Sequence, residues 1–247
     1  MRPKIKYALE PLREFDGALL ANTIGYISSA PAHELYMSGF IRSMTPFLGP
    51  TIGVAVTCEI DSSTPNQPAN LDGFWRHLGE IQSMKVPMVW VVKAVGSRPD
   101  HECIMGDGMG KALHAAGCVG IVTDGGVRDL KGLAAIPLDV YARGTTIHHT
   151  PLRMVSINRP VEIGGIFVRP GDIIHGSSEG VIKIPKDTLA KLRESAINMR
   201  AFEREAHKIM SQARLSPLEK KRRVSEILAS YKFSPSNMPQ KNRQVIP

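Results

Sequence analysis

Cysteine is scarce in this chain: three residues, Cys58, Cys103 and Cys118, with no Cys-x-x-Cys spacing. So small and odd a set argues against a disulfide framework, a zinc knuckle or a redox dithiol, and points to a reducing compartment. Long apolar runs are missing too. The most apolar stretch, VPMVWVV at 86–92, is far too short to span a bilayer. The start, MRPKIKYALEPLREF, carries charges but no apolar secretory core. A cytoplasmic protein with no membrane partner is expected. No Walker Gly-Lys-Ser/Thr is present, which removes the P-loop nucleotide class.

What is there begins with charge. The net charge of +8 over 247 residues suggests nucleic acid until it is located. From Lys186 onward there are 14 Lys and Arg against 6 Asp and Glu, which leaves 17 of each sign in residues 1–185. The body is therefore neutral and the excess sits in the tail. That tail lacks the interleaved aromatics of a base-stacking surface, so nucleic acid is not expected as a partner.

Three β-branched, apolar segments read as strands buried on both faces: 51–60, 86–95 and 118–125. Between the first two, 70–83 places Leu71, Phe74, Leu78 and Ile81 on one helical face. A shorter helix opens at the glycine-rich GDGMG and runs to Ala116. Strand and helix in alternation imply βαβ units and a mostly parallel sheet. From 130 onward short strands at 138–143, 153–158 and 180–185, divided by Gly/Pro turns, read as a β-rich half packed against the α/β half. Residues 186–247 form a basic amphipathic helical arm. Its apolar stripe runs from Leu189 and Leu192 to Ile209 and Ala213, and a second helix is announced by Ser216-Pro217-Leu218-Glu219, a capping box. The arm is expected to pack on its own body or on a neighbouring subunit.

The chemistry concentrates in Gly106-Asp107-Gly108-Met109-Gly110 and in Asp124-Gly125-Gly126-Val127-Arg128-Asp129. Unpaired N–H groups at a helix start attract anions, and glycines let a ligand approach that backbone. A dinucleotide site is a poor reading, because some ten residues separate the glycines from the preceding strand (86–95). Arg128 and Asp129 lie just past the strand 118–125, at the sheet edge where α/β proteins collect ligands. The arginine fork suits a carboxylate, and the aspartate offers the hard oxygen that Mg²⁺ or Mn²⁺ prefers. A surface ion pair flanking a turn would give the same dipeptide. His148 and His149 are adjacent, so on an extended chain they point to opposite faces and cannot readily share a metal. His175 reads as structural, Asp124 and Asp172 as turn-bonding carboxylates, and the cysteines as inert.

With VTDGGVRD at 122–129 and VRPGD at 168–172 combined, the sequence resembles the RraA-like proteins over roughly residues 20–185. That family includes class II pyruvate aldolases acting on 4-hydroxy-4-methyl-2-oxoglutarate and 4-carboxy-4-hydroxy-2-oxoadipate, and the regulator of ribonuclease activity A. The resemblance implies an α/β protein with the β/β/α swivelling-type fold, a catalytic domain at 1–185, and a homotrimer or dimer of trimers with sites between subunits. It implies that Gly106, Asp107, Gly108 and Met109 cradle the pyruvoyl end of a substrate and that Arg128 binds its carboxylate. Asp129 would hold Mg²⁺, Mn²⁺ or another divalent cation, with Asp107, where relatives usually have glutamate, reaching that shell through water. The chain departs from its relatives at Lys93, often aspartate. It also departs at Ser177-Ser178-Glu179-Gly180, often Asp-x-x-Gly, and at 28–35, where a Ser-Asp-Ala-Leu motif is missing.

The expected activity is metal-dependent carbon–carbon cleavage of a 4-hydroxy-2-keto acid to pyruvate, with oxaloacetate decarboxylation as a side reaction through the same enolate. The rival is a non-catalytic regulator of an RNA-processing enzyme; Asp129, expected to be absent from that branch, favours the lyase. A methyltransferase ranks last, because no adenosylmethionine-type glycine motif is found.

Overall fold

The structure, a computed structural model, describes residues 7–149 and 151–233. It divides into two compact units, one holding the chain up to Gly17 together with His33–Ile184, the other holding Ala18–Ala32 and the chain from Pro185. In chain order the elements begin with α1 (Gly17–Ile27), β1 (Arg42–Ser43), β2 (Thr51–Asp61), α2 (Asp72–Met84) and β3 (Met88–Ala94). β4 (Cys103–Met105), α3 (Asp107–Ala116), β5 (Cys118–Thr123), β6 (Gly126–Val127) and α4 (Leu130–Leu133) follow. Then come β7 (Asp139–Ala142), β8 (Gly144–Thr145), β9 (Arg153–Ile157), β10 (Val161–Ile163), β11 (Ile166–Val168), β12 (Ile173–Ser177) and β13 (Gly180–Ile184). The C-terminal helices are α5 (Leu189–Met210) and α6 (Pro217–Ser230).

The three apolar segments form the parallel centre of one sheet, with β3 between β2 and β5, and β7 beyond β5. Their alternation sorts side chains to two faces. Val56, Cys58, Ile60, Trp90 and Val92 join a core that contains Phe74, Leu78 and Ile81 of α2 and Leu113 of α3. Ala55, Val89 and Val91 join a second core with Val161, Ile163, Ile166 and Val168 of the β10–β11 hairpin. Burial on both faces is why these strands read as near-continuous apolar runs.

The β-rich half does not form a separate layer, contrary to expectation. β12 and β9 both pair antiparallel with β2, at its first and second halves, and β13 extends the sheet beyond β12. The sheet is thus mixed, with a parallel centre and antiparallel flanks, because β2 is long enough at eleven residues to take two partners along one edge. The β10–β11 hairpin turns on Gly164-Gly165, both at positive φ; two glycines between apolar triplets are a hairpin signal that the segment reading passed over.

A second, three-stranded sheet, β4-β6-β8, is parallel throughout. Arg128 N–H donates to Met105 O at 3.0 Å, and Thr146 N–H donates to Val127 O at 3.0 Å. These bonds carry the pairing one residue past each strand, so the three chains leave the sheet side by side.

In the other unit, α5 buries Leu192, Ala196, Met199 and Ala206 of the expected stripe. Ser216 caps α6 by accepting from Glu219 N–H at 3.2 Å. Only half of the capping box forms, since the Glu219 carboxylate pairs with Arg222 and Arg223. No helix among the described residues is long and apolar enough to cross a membrane.

Candidate active site

The three parallel strand ends surround a cavity of about 390 Å³. Gly106–Met109 leave β4, Arg128 and Asp129 leave β6, and His148 and His149 follow β8; all of them line it. Two positions are corrections. A three-residue strand, β4, ends directly before Gly106, so the glycines do follow a strand; the spacing is nevertheless Gly-x-Gly-x-Gly rather than a dinucleotide fingerprint. Arg128 and Asp129 lie past β6 of the small sheet, not past β5, because the chain turns at Asp124-Gly125 and starts a new strand.

Gly106 is the N-cap of α3. The next three residues, Asp107, Gly108 and Met109, carry N–H groups at the positive end of that ten-residue helix. Space at 106 is tight: a Cβ there would press on Asp129 Oδ2 and lie 3.1 Å from Arg128 Nε, so both side chains would have to shift. The arginine and aspartate side chains therefore lie directly over the mouth of the helix. Asp129 holds a left-handed backbone, φ 59°, which aspartate tolerates better than most residues. Arg128 Nε and Asp129 Oδ2 are 3.6 Å apart, with the two side chains 31% and 46% exposed. An ion pair this open contributes little stability, and both groups remain accessible to a ligand.

Asp107 lines the cavity and is also tied to its own helix. Lys111, one turn on, donates from Nζ to Asp107 Oδ2 at 2.6 Å, and this bond holds the Asp107 carboxyl below the usual carboxylate range. The carboxylate also approaches Gly132 so closely that a Cβ there would lie 2.7 Å away. The Asp107–Lys111 spacing is an i,i+4 pair legible in the sequence, yet Lys111 was not singled out.

The opposite wall is apolar. Asn70 N–H donates to Leu152 O and Met154 N–H to Asn70 O, at 3.0 and 2.9 Å. This clamp sets Ala69 and Leu71 beside Pro151 and Leu152, all lining the cavity. No local motif marks these four residues, since they meet only through tertiary pairing. Cys103 also lines the cavity, with its thiol pushed up by burial against the opposing charge of Arg128. Cys118 is pushed up to about 12 by burial, as expected of inert thiols.

The remaining polar candidates are placed elsewhere. His175 is wholly buried, with Nε2 3.1 Å from Phe15 O. Asp172 accepts from Arg169 N–H inside its turn at 2.9 Å. Asp124 instead bridges to β3, accepting from Ala94 N–H and pairing with Lys93 Nζ. His148 and His149 follow the strand that ends at Thr145, and both line the cavity.

A divalent cation fits this donor set in one sense only. Among the described residues no group of three or more His, Cys, Asp or Glu converges, so a closed cage of protein ligands is not built. Mg²⁺ ordinarily uses one or two carboxylates and completes its shell with water and substrate. The half-exposed carboxylate of Asp129 meets that requirement.

Fold and cavity together define an α/β protein with a cavity at the C-terminal ends of a small parallel sheet. Residues 30–183 match the RraA-like family, described as Aldolase/RraA, and the chain belongs to that family. A Halalkalibacterium halodurans protein provisionally named 4-hydroxy-4-methyl-2-oxoglutarate aldolase is 38% identical over 39% of this chain, and the match spans 47% of that protein, about half its length. An Albidiferax ferrireducens protein of the same provisional name is 30% identical over 61% of this chain and 89% of its own length. Among solved structures, Streptomyces coelicolor RraAS2, described as an unusual member of the RNase ES inhibitor RraA protein family, superposes with a TM-score of 0.63. It is 22% identical, covering 81% of this chain and 96% of its own. At that identity the likeness carries the fold: the β/β/α swivelling-type RraA-like architecture with a helical C-terminal region.

Proposed function

We propose that the protein is a divalent-metal-dependent carbon–carbon lyase that cleaves a 4-hydroxy-2-keto acid and releases pyruvate. The observation that carries this reading is the stacking of Arg128 and Asp129 over Gly106 at the N-terminus of α3, inside one cavity. The provisional aldolase names of its relatives support it.

The Arg128 guanidinium binds the substrate carboxylate through two N–H groups. The amides of Asp107, Gly108 and Met109 face the same anionic end and cost no reorganisation as charge develops. Asp129 would hold Mg²⁺, Mn²⁺ or a similar cation, which supplies Lewis-acid stabilisation of the keto oxygen. The C3–C4 bond breaks when the C4 hydroxyl loses its proton. C4 then becomes a carbonyl, and the electron pair moves through C3 onto the keto oxygen as an enolate beside Arg128. Asp107, kept ionised by Lys111, positions the water that accepts the hydroxyl proton. Protonation at C3 then completes pyruvate. Oxaloacetate reaches the same enolate by losing carbon dioxide, which makes its decarboxylation the expected side activity. A homotrimer or hexamer is the assembly that accompanies this reading.

A lactate-dehydrogenase-coupled pyruvate assay with 4-hydroxy-2-keto acids, Mg²⁺ and intact protein tests the proposal. Arg128→Ala and Asp129→Ala are each expected to lower kcat/KM by about a hundredfold or more, the usual loss for one pre-organised charge-stabilising group. Full activity in either variant, or no metal-dependent pyruvate from the wild type, overturns it.

A further inference from the structure

The reaction proposed above ends when C3 of the enolate takes a proton, and the residues so far assigned do not supply one. Among the described residues lining the cavity, the side chains that can carry a proton are Cys103, Asp107, Arg128, Asp129, His148 and His149. The first four are unsuited. Arg128 keeps its proton at any accessible pH. Asp129 serves as an oxygen ligand in its ionised form. Asp107 is bonded to Lys111 Nζ at 2.6 Å, which favours the carboxylate, a form with no proton to give. The Cys103 thiol is buried, and burial disfavours the thiolate that donation would leave. Imidazole is the side chain type that both gives and takes a proton near neutral pH.

Placement agrees with this elimination. In the register of β8 with β6, Thr145 stands opposite Val127, and Thr146 N–H donates to Val127 O at 3.0 Å. Arg128 directly follows one partner of that bond, and the histidines begin two residues beyond the other. The two segments thus enter the same cavity side by side. His148 and His149 are also exposed, so solvent water can return a proton to the ring after each turnover.

We propose that the His148–His149 pair is the general acid of the reaction, delivering the C3 proton of pyruvate from an imidazolium N–H. The N–H bond breaks as C3 takes the proton. The enolate electron pair returns to form the C2 carbonyl, and the neutral ring takes a fresh proton from water. Run backwards, the neutral imidazole removes a C3 proton from bound pyruvate. This inference rests on the keto-acid reading of Arg128 and Asp129.

Proton NMR of pyruvate in deuterium oxide, with intact protein and Mg²⁺, reads that reverse step as loss of the methyl signal. The wild type is expected to speed this exchange. His148→Gln/His149→Gln keeps hydrogen-bonding side chains but no acid–base group. Its exchange rate should fall at least about a hundredfold, the low end for a positioned general acid. Calorimetric pyruvate affinity should hold within about twofold, because the carboxylate contacts at Arg128 remain. Free imidazole should restore part of the exchange in His148→Ala/His149→Ala, a rescue that a packing role would not give. Wild-type exchange in the first variant, a loss of exchange matched by a loss of affinity, or no rescue overturns the assignment and leaves the parent reading standing. So does a wild type that binds pyruvate without exchanging its methyl protons. Arg128→Ala reports on the parent reading, since it should abolish pyruvate binding. A wild type that neither binds pyruvate nor exchanges it would sink both readings.

Discussion

At the scale of single residues, the site depends on which carboxylate is free and which is tied. Asp129 is half-exposed above Gly106, while Asp107 is bonded to Lys111. The Lys111 bond lowers the Asp107 pKa, so it keeps the group ionised to lower pH. Lys111→Met should therefore raise that pKa and move the acid limb of the kcat/KM profile to higher pH, leaving the plateau little changed. A pH–rate profile of the variant checks this; an unmoved limb would show that Asp107 does not govern it. Arg128, Asp129 and the glycine-rich turn were legible from residue chemistry and from the combined motif. The orientation of Asp107 was not, because it is set by one ion pair and by the space beside Gly132. That His148 and His149 reach the same cavity was not legible either, because it depends on the pairing of β8 with β6.

At the scale of elements, the site is a matter of strand ends. β4, β6 and β8 hold only two or three residues each, too few to show an alternating pattern. For that reason β4 reads as loop in the sequence, and β6 reads as the turn and its exit after β5. The long strands were legible because burial on both faces imposes continuous apolar sequence. Their joining with β12 and β9 was hidden, since sequence pattern does not report which edge of β2 a later strand will choose. Close approach at the strand ends gives a sharp expectation. Gly106→Ala would push against Asp129 and Arg128, and displacement of this order at a reacting centre can cost about a hundredfold in rate. Steady-state kinetics alongside thermal melting should show a large fall in kcat/KM with a small change in Tm. A large fall in Tm with normal specific activity would contradict it.

At the scale of the whole molecule, two buried groups set opposing pH responses. Burial lowers the His175 pKa to about 4, so the unfolded chain takes up this proton more readily. Stability is then complete above the ordinary histidine pKa and is lost as pH falls towards about 4. Burial raises the Asp139 pKa to about 6, so its contribution is complete at low pH and is lost as pH rises through about 6. Each shift corresponds to at most about 3 kcal/mol. Between pH 4 and 6 the two largely cancel. His175→Asn should leave stability falling as pH rises across that window, and Asp139→Asn should leave it rising. Urea unfolding at several pH values reads the slopes; parallel slopes in the two variants would refute the assignment.

The brevity of the site-bearing sheet also has a kinetic consequence. Its strands are joined by few backbone bonds, among them Gly126 N–H to Glu102 O and Thr146 N–H to Val127 O, whereas β3 is paired along both edges in the buried centre. Local opening of the small sheet need not wait for global unfolding. Amide protons of Gly126, Arg128 and Thr146 should exchange with solvent faster than those of Trp90 and Val91, and should slow when a keto acid binds. Hydrogen-exchange mass spectrometry would resolve the two rates. The site would then breathe on its own clock, admitting and releasing small acids while the central sheet stays shut.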